Sequence, residues 1–339
     1  MTALDLAVAQ DATLAEIDLP DSVRDGLGAQ LAAVPDPVAD IDWSMSRYLQ
    51  IFAQLPIRTL QQIQDFGRHP DTPGVGYVRN APVDTRLPGT PTDGRPSPDK
   101  ATFVAEGVLL GLSGLLGEPV GFTTEKNGQL VHDVVPVRGG ATTQTNQGSS
   151  VFLNFHHDIV HDASGRYDLA SPDFLVLSCL RADPEGLAAT YYADARDICR
   201  ALDTPTLEIL RSPRFRMNAP GSYVRDVAGG VDVLSDPVPM ISGPGHCPEV
   251  SAAANGVHPL DDEARAALDR LQSACRGVAH EVFLRPGQVL LINNRKGLHA
   301  RSQFTARYDG RDRWLQRAYV RRNQWDLRHR GVPGVRRLH

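Results

Sequence analysis

The sequence predicts a mainly β core, an antiparallel sandwich or jelly roll, with helices gathered in the first third of the chain. Three observations carry this expectation. Residues up to about 116 hold stretches with helix caps and apolar residues at helical spacing. From residue 117 the texture changes to short β-rich runs separated by turn signals. Only one clear helical pattern interrupts those runs. At 339 residues, 41% hydrophobic and 22% charged, the chain is ordinary in composition. It is long enough to bury a large core without disulfide staples, and β-rich enzymes of this length often form one domain.

Taken in order, Asp21 can cap a helix running to about Val34. Residues 44–53 and 56–66 read as two more helices, the second with proline at its first position. Residues 68–100 are proline-rich and without periodicity, so they read as an irregular connection. Ser97-Pro98 then opens a helix to about Leu116, apolar enough to be buried. The β-rich runs follow at 130–137, 151–156, 174–180, 190–193, 238–242, 279–284, 289–293 and 313–322. Arg285-Pro286-Gly287 marks a hairpin turn between two of them. The interrupting helix is capped by Asp261 and carries Ala264, Leu268, Leu271 and Cys275 as its apolar stripe.

Composition narrows the function classes. A net charge of −5 argues against a nucleic-acid partner. The basic C-terminal tail, 323–339, reads as a solvated or frayed end. The N-terminus lacks the basic start of a signal peptide, and no uncharged apolar stretch is long enough for a membrane span. The four cysteines are scattered without a CxxC pair, as expected of reduced thiols in a cytoplasmic protein.

Two constellations could carry chemistry. In Phe155-His156-His157-Asp158, His156 and Asp158 sit two apart at a strand end and so share one face. With His299, just beyond the 289–293 strand, they would form a two-histidine, one-carboxylate set. Such a set leaves metal positions open for a bidentate ligand and O₂, which suits Fe(II). A polar surface pair would share this spacing, and His157 with His161 offers a rival pairing that needs a helix. The second constellation is the run 312–321. As a strand it places Arg313, Leu315, Arg317 and Tyr319 on one side. The two arginines would stand roughly 13 Å apart and, if buried, would need anionic partners. An edge strand with both arginines in water is the alternative.

Over roughly residues 100 to 322 the chain resembles the clavaminate synthase-like family of Fe(II)/2-oxoglutarate oxygenases. The likeness lies in Gln129-Leu-Val-His-Asp-Val-Val-Pro136, Thr143-Gln-Thr-Asn-Gln-Gly-Ser149, residues 172–183, and a late set. That set is Leu291-Ile-Asn-Asn-Arg295, Gly297-Leu-His-Ala-Arg301, Phe304, Arg307, Asp309-Gly310 and Asp312-Arg-Trp-Leu315. The resemblance implies one oxygenase domain with a helical flank (1–116) and a cupin-like double-stranded β-helix core (117–322) carrying a lid at about 243–258. It implies His156, Asp158 and His299 as Fe(II) ligands, and Arg313 with Thr190 as the site for 2-oxoglutarate, consumed with O₂. It implies Arg317, Glu125 and Asn146 as contacts to a small amino-acid-like substrate. The expected activity is hydroxylation of an unactivated C–H bond, in natural-product biosynthesis. Desaturation or cyclisation on the same frame is the alternative, as is a jelly roll that binds a metal or organic acid without turnover. The oligomeric state is not implied.

Three departures from the family pattern stand out. Its His-Thr-Glu is here His156-His157-Asp158, which keeps a carboxylate ligand and argues against a halogenase. The segment from Asp158 to Pro172 is longer than usual and brings His161, Asp162, Arg166 and Tyr167, expected to form a solvated loop. The stretch 247–256 holds a single acid, Glu249, where the family's arginine hydroxylases carry several. That predicts a substrate with a neutral polar or apolar side chain rather than a cationic one.

Overall fold

The computed structural model describes residues 14–145, 147–158, 171–226, 228–254, 256–325, 328 and 336–338. The order begins β1 (Ala15–Asp18), α1 (Asp21–Leu31), α2 (Ile41–Phe52), α3 (Ile57–Arg68), β2 (Val75–Arg79) and α4 (Val104–Leu116). It continues with β3 (Glu118–Phe122), β4 (His132–Val134), β5 (Leu153–His156), β6 (Phe174–Arg181) and β7 (Thr190–Asp194). Then come α5 (Ala195–Arg200), α6 (Thr204–Leu210), β8 (Phe215–Met217), α7 (Gly221–Asp226), β9 (Ile241–Ser242), β10 (Glu249–Val250), β11 (Val257–Pro259) and α8 (Asp262–Val278). The last elements are β12 (His280–Val282), β13 (Val289–Asn293), β14 (Gly297–Arg301), β15 (Trp314–Arg321) and β16 (Arg337–Leu338).

An eight-stranded sheet runs β1-β2-β13-β6-β15-β3-β16, with β4 also paired to β15. A four-stranded sheet runs β12-β7-β14-β5. Pairing is antiparallel except for β1–β2 and β3–β16. The period of two decides which side chains face where. On β6 and β15, Phe174, Val176, Ala318 and Val320 pack with α1–α4 on one side of the large sheet. Leu175, Leu177, Leu315 and Tyr319 turn to the other side, where Tyr192 of the small sheet joins them. On the small sheet, Phe155, Ala193, Leu298 and Ala300 pack outward against α8. His156, Thr190, His299 and Arg301 therefore face the interior between the sheets.

The N-terminal helices close the large sheet. Almost all of α4 is buried, as its unbroken apolar sequence foretold. Gly107, Gly111 and Gly114 face Leu31 and Tyr48, Phe52, and Leu49 respectively, so α1 and α2 approach closely.

Several expectations need correction. Helix α4 starts at Val104, not at Ser97. The side chain of Asp84 accepts from Val104 N and Ala105 N, a remote cap that local sequence could not reveal. In α1, Asp21 lies inside the helix and Pro20 holds the cap position. Helix α2 starts earlier than expected, on the Asp40 carboxylate, and Pro56 precedes α3 rather than starting it. The irregular connection hides β2, and the expected strand at 130–137 shrinks to β4. The turn at 285–287 forms, with Gly287 at φ 82°, but it passes the chain between sheets rather than joining a hairpin. The C-terminal tail does not fray throughout. Leu338 is fully buried in β16 beside β3, and Arg336 pairs with Asp42 and Glu118. The Asp261 cap and the α8 stripe stand as expected, with Asp261 Oδ1 accepting from Ala264 N at 2.8 Å.

Candidate active site

Strand β14, which the sequence did not reveal, places His299 between two partners: it pairs with His156 of β5 and Tyr192 of β7. The His156 and His299 rings lie 4.2 Å apart as cross-strand neighbours. Asp158 follows on the same side of the chain. Asn294 secures it there, accepting from Asp158 N at 2.8 Å and donating to Asp158 O and Pro172 O at 2.9 Å each. The donor atoms of His156, Asp158 and His299 all lie within 4.8 Å of one another.

Protonation in this cluster suits a metal. His156 Nδ1 faces Asn154 O at 2.7 Å, so Nδ1 carries the proton and Nε2 offers its lone pair beside Asp158. Burial holds both imidazoles below their ordinary range, His299 well below it. Burial raises the Asp158 carboxyl, but the Arg317 cation outweighs it and keeps the group low. Two neutral imidazoles and one carboxylate converging from one side fit a divalent iron and leave positions open opposite. His157, of the rival pairing, turns to a different partner. Its ring is tied to Ala252 of another segment, facing Ala252 O at 3.1 Å and accepting from Ala252 N at 3.0 Å. His161 lies outside the described residues.

Arg313 and Arg317 are both buried, which removes the edge-strand alternative. β15 is central, flanked by β6 on one side and by β3 and β4 on the other. Arg313 reaches Thr190 Oγ1 at 3.5 Å and has no salt-bridge partner among the described residues. Burial pushes its guanidinium down to about 10. Arg317 donates from Nη1 to Asp158 Oδ2 at 2.8 Å. Its Nη2 lies 3.9 Å from Glu125 Oε1, and its plane sits over Tyr319 at 4.4 Å. Glu125 is presented by a tight turn in which Lys126, Asn127 and Gly128 all take positive φ. For the two non-glycine residues this costs about 1 kcal/mol each.

These groups line one cavity of about 520 Å³ between the sheets. Gln144, Asn218, Ala253 and Ala254 are among its other lining residues, as are Asp93, Arg95 and Lys126. The described part of 243–258, expected as a lid, packs against the rest of the fold through several residues. Val250, Ala252 and Ala253 are buried in the core behind the small sheet, and Val250 N donates to Arg295 O. Glu249 points at Arg295, 3.6 Å away, and does not line the cavity. Asn146, expected at the substrate, lies outside the described residues, as do Asp162, Arg166 and Tyr167.

Three residues of the site went unnoticed in the sequence. Asn294 braces Asp158. His132 faces Arg317 Nη2 at 3.3 Å. Arg301 donates to Gly148 O and Val151 O, and burial pushes it down to about 9. All three lie in the runs that carry the family resemblance, and period two along 297–301 sets Arg301 on the face of His299.

The chain is similar to several known proteins. Residues 240–319 match the model of the taurine catabolism dioxygenase TauD, TfdA family. The chain is 33% identical to L-asparagine oxygenase of Streptomyces coelicolor over 313 residues, 91% of this chain and 89% of that protein. It is 31% identical to clavaminate synthase 2 of Streptomyces clavuligerus, over 88% of this chain and 90% of the other. A crystal structure of asparagine oxygenase with Fe(II), (2S,3S)-3-hydroxyasparagine and succinate superposes with a TM-score of 0.83. It is 31% identical and covers 95% of this chain and 98% of that one. The non-haem iron oxygenase OrfP with iron and α-ketoglutaric acid superposes at 0.78, with 26% identity over 96% and 100% of the two chains.

Proposed function

From the premise that this chain belongs to the clavaminate synthase-like family of Fe(II)/2-oxoglutarate oxygenases, we propose that it hydroxylates a free amino acid bearing a neutral side chain, or a close derivative. The observation that carries this reading is the convergence of a buried metal-ligand triad and the buried guanidinium groups of Arg313 and Arg317 on one cavity. The two facing sheets are read as a double-stranded β-helix, and the chain as one oxygenase domain with an N-terminal helical flank.

His156, Asp158 and His299 hold Fe(II). The bound metal, with 2-oxoglutarate and O₂, supplies the oxidation that yields succinate, CO₂ and the hydroxylated product. Arg313 forks onto the distal carboxylate of 2-oxoglutarate, steered by the Thr190 hydroxyl. Arg317 takes the carboxylate of the amino acid and Glu125 its ammonium group. Together they fix which C–H bond faces the metal, and Asn146 is assigned to the same end of the substrate. The apolar residues beneath the site, Leu175, Leu177 and Leu315, keep water from the reacting groups. Placement and water exclusion are the protein's contribution. A neutral side chain is favoured because residues 243–258 offer the cavity alanines while Glu249 is engaged elsewhere. Asparagine, the substrate in the name of one relative, falls in that class.

The test is a screen of free L-amino acids with Fe(II), 2-oxoglutarate and ascorbate, read by mass spectrometry. The expected product gains one oxygen, succinate forms in step with it, and both vanish in His299→Ala and Asp158→Ala. A product lacking two hydrogens would replace hydroxylation with desaturation. Preferred turnover of arginine or lysine would overturn the side-chain assignment. No succinate with any amino acid would leave a binding protein.

A further inference from the structure

Among the described residues, His132 is the one buried histidine outside the metal triad that hydrogen-bonds Arg317 on the cavity wall. It sits on β4 directly opposite Arg317 of β15, so the two side chains share a face. Its Nε2 lies 2.9 Å from Gln129 O. A carbonyl can only accept, so Nε2 carries the proton and Nδ1 is left as an acceptor. That acceptor meets Arg317 Nη2 at 3.3 Å. The ring also stands edge-on to Tyr319, 5.1 Å away at 84°, and Tyr319 carries the Arg317 guanidinium on its face. Burial and the neighbouring Arg317 cation hold the imidazole neutral, down to about 3.

Asp158 draws Arg317 toward the metal ligands through Nη1. A long side chain drawn only that way would swing onto the carboxylate and leave the substrate's place. The opposing hydrogen bond to His132 and the Tyr319 ring hold the fork across the cavity.

We propose that His132, as its Nε2–H tautomer, is a positioning residue that sets the orientation in which Arg317 receives the substrate's carboxylate. The inference rests on Arg317 being that carboxylate site. A Gln129 carbonyl, a neutral imidazole and a guanidinium thus form a chain that ends at the substrate's place, with the Arg317–Asp158 pair as its link to the metal ligands. Substrate affinity and the coupling of succinate to product are the quantities it controls.

His132→Phe keeps a ring against Tyr319 and removes the acceptor, and His132→Asn returns an acceptor near the place of Nδ1. His132→Phe is expected to raise the amino-acid KM roughly tenfold or more, the usual consequence of a buried charged donor losing its partner. The KM for 2-oxoglutarate should stay within about twofold, and succinate should outrun product. His132→Asn should recover most of the loss. Long-range ¹H–¹⁵N spectra of the wild-type histidines should show His132 protonated at Nε2 alone, a readout that needs no turnover and no folded variant. An Nδ1–H tautomer, or an unchanged amino-acid KM in His132→Phe, overturns the proposal, as does an equal rise in both KM values. Arg317→Met separates this idea from the reading beneath it. If that variant leaves the amino-acid KM unchanged, the role of Arg317 falls and that of His132 with it. If it raises the KM and His132→Phe does not, only the role of His132 falls.

Discussion

Replacing Arg313 with methionine should strengthen the ligand-free protein and cripple it as an enzyme. Arg313 is 6% exposed, hydrogen-bonds only the Thr190 hydroxyl among the described residues, stands over the Phe304 ring at 5.9 Å, and lies beside the apolar Leu315 on the cavity wall. Burial lowers its guanidinium from 12.5 to about 10, which corresponds to roughly 3 kcal/mol of unfavourable charge burial. Because the folded state disfavours the cation, that penalty is present at every pH below about 10 and is undiminished at neutrality. Methionine approximates the volume without the charge, so the ligand-free variant should gain about 1–3 kcal/mol of stability. Against this stands the lost ligand contact. Hydrogen bonds to a charged group contribute about 1.5–3 kcal/mol each, and a guanidinium fork makes two with a carboxylate. The affinity for 2-oxoglutarate should therefore fall by about two orders of magnitude or more. The assay is urea unfolding of both proteins without ligands, then thermal unfolding of the anaerobic Fe(II) forms across a 2-oxoglutarate titration. The wild type should show a ligand-dependent rise in Tm that the variant lacks, while amino-acid KM moves less than about threefold. A variant that is weaker without ligand, yet keeps the 2-oxoglutarate response, would refute the assignment of Arg313.

Three further outcomes are expected. Asn294→Ala removes three buried hydrogen bonds around Asp158 and should weaken metal binding about 10–100-fold, measured by anaerobic titration. Unchanged affinity would mean that β5 alone holds Asp158. In Gly111→Ala the new Cβ would lie 2.2 Å from Phe52 Cε2. The overpacking costs about 1–3 kcal/mol against about 1 kcal/mol gained in helix propensity, so Tm should fall while both KM values hold. His132 stays neutral in the fold, held down to about 3 by burial and by Arg317 and Lys126, against Asp158 and the Gln129 carbonyl. The unfolded chain therefore takes up a proton below about 6.5 that the native state refuses, and stability falls with pH by about 1.4 kcal/mol per unit for this group. Urea unfolding from pH 7.5 to 5 should give His132→Asn the shallower slope, and equal slopes would count against a buried neutral imidazole.

Where the sequence misled, long-range contacts were the cause. Helix α4 begins where Asp84 caps it from twenty residues upstream, and proline chemistry at Ser97-Pro98 was the wrong local signal. The turn at 285–287 looked like a hairpin because turn residues specify local backbone and not which sheet receives the chain next. Strand β14 was missed because the alternation in Gly297-Leu-His-Ala-Arg301 is too short to stand out by itself. It forms because β5 and β7 supply its hydrogen bonds from both sides. His132 and Asn294 carry no local mark of their roles, since each acts through a residue more than 100 positions away.

By itself the sequence determined the helical flank, the β-rich core, the shared face of His156 and Asp158, and the common side of Arg313 and Arg317. All of these follow from periods of 3.6 and two, which are properties of neighbouring residues. Only the tertiary structure decided that His299 stands beside His156, that both arginines are buried on a central strand, and that Asp158, Glu125 and His132 converge on Arg317. Those outcomes depend on strand order and register, which arise from packing two sheets and a helical layer around one core, and no local stretch of chain encodes them.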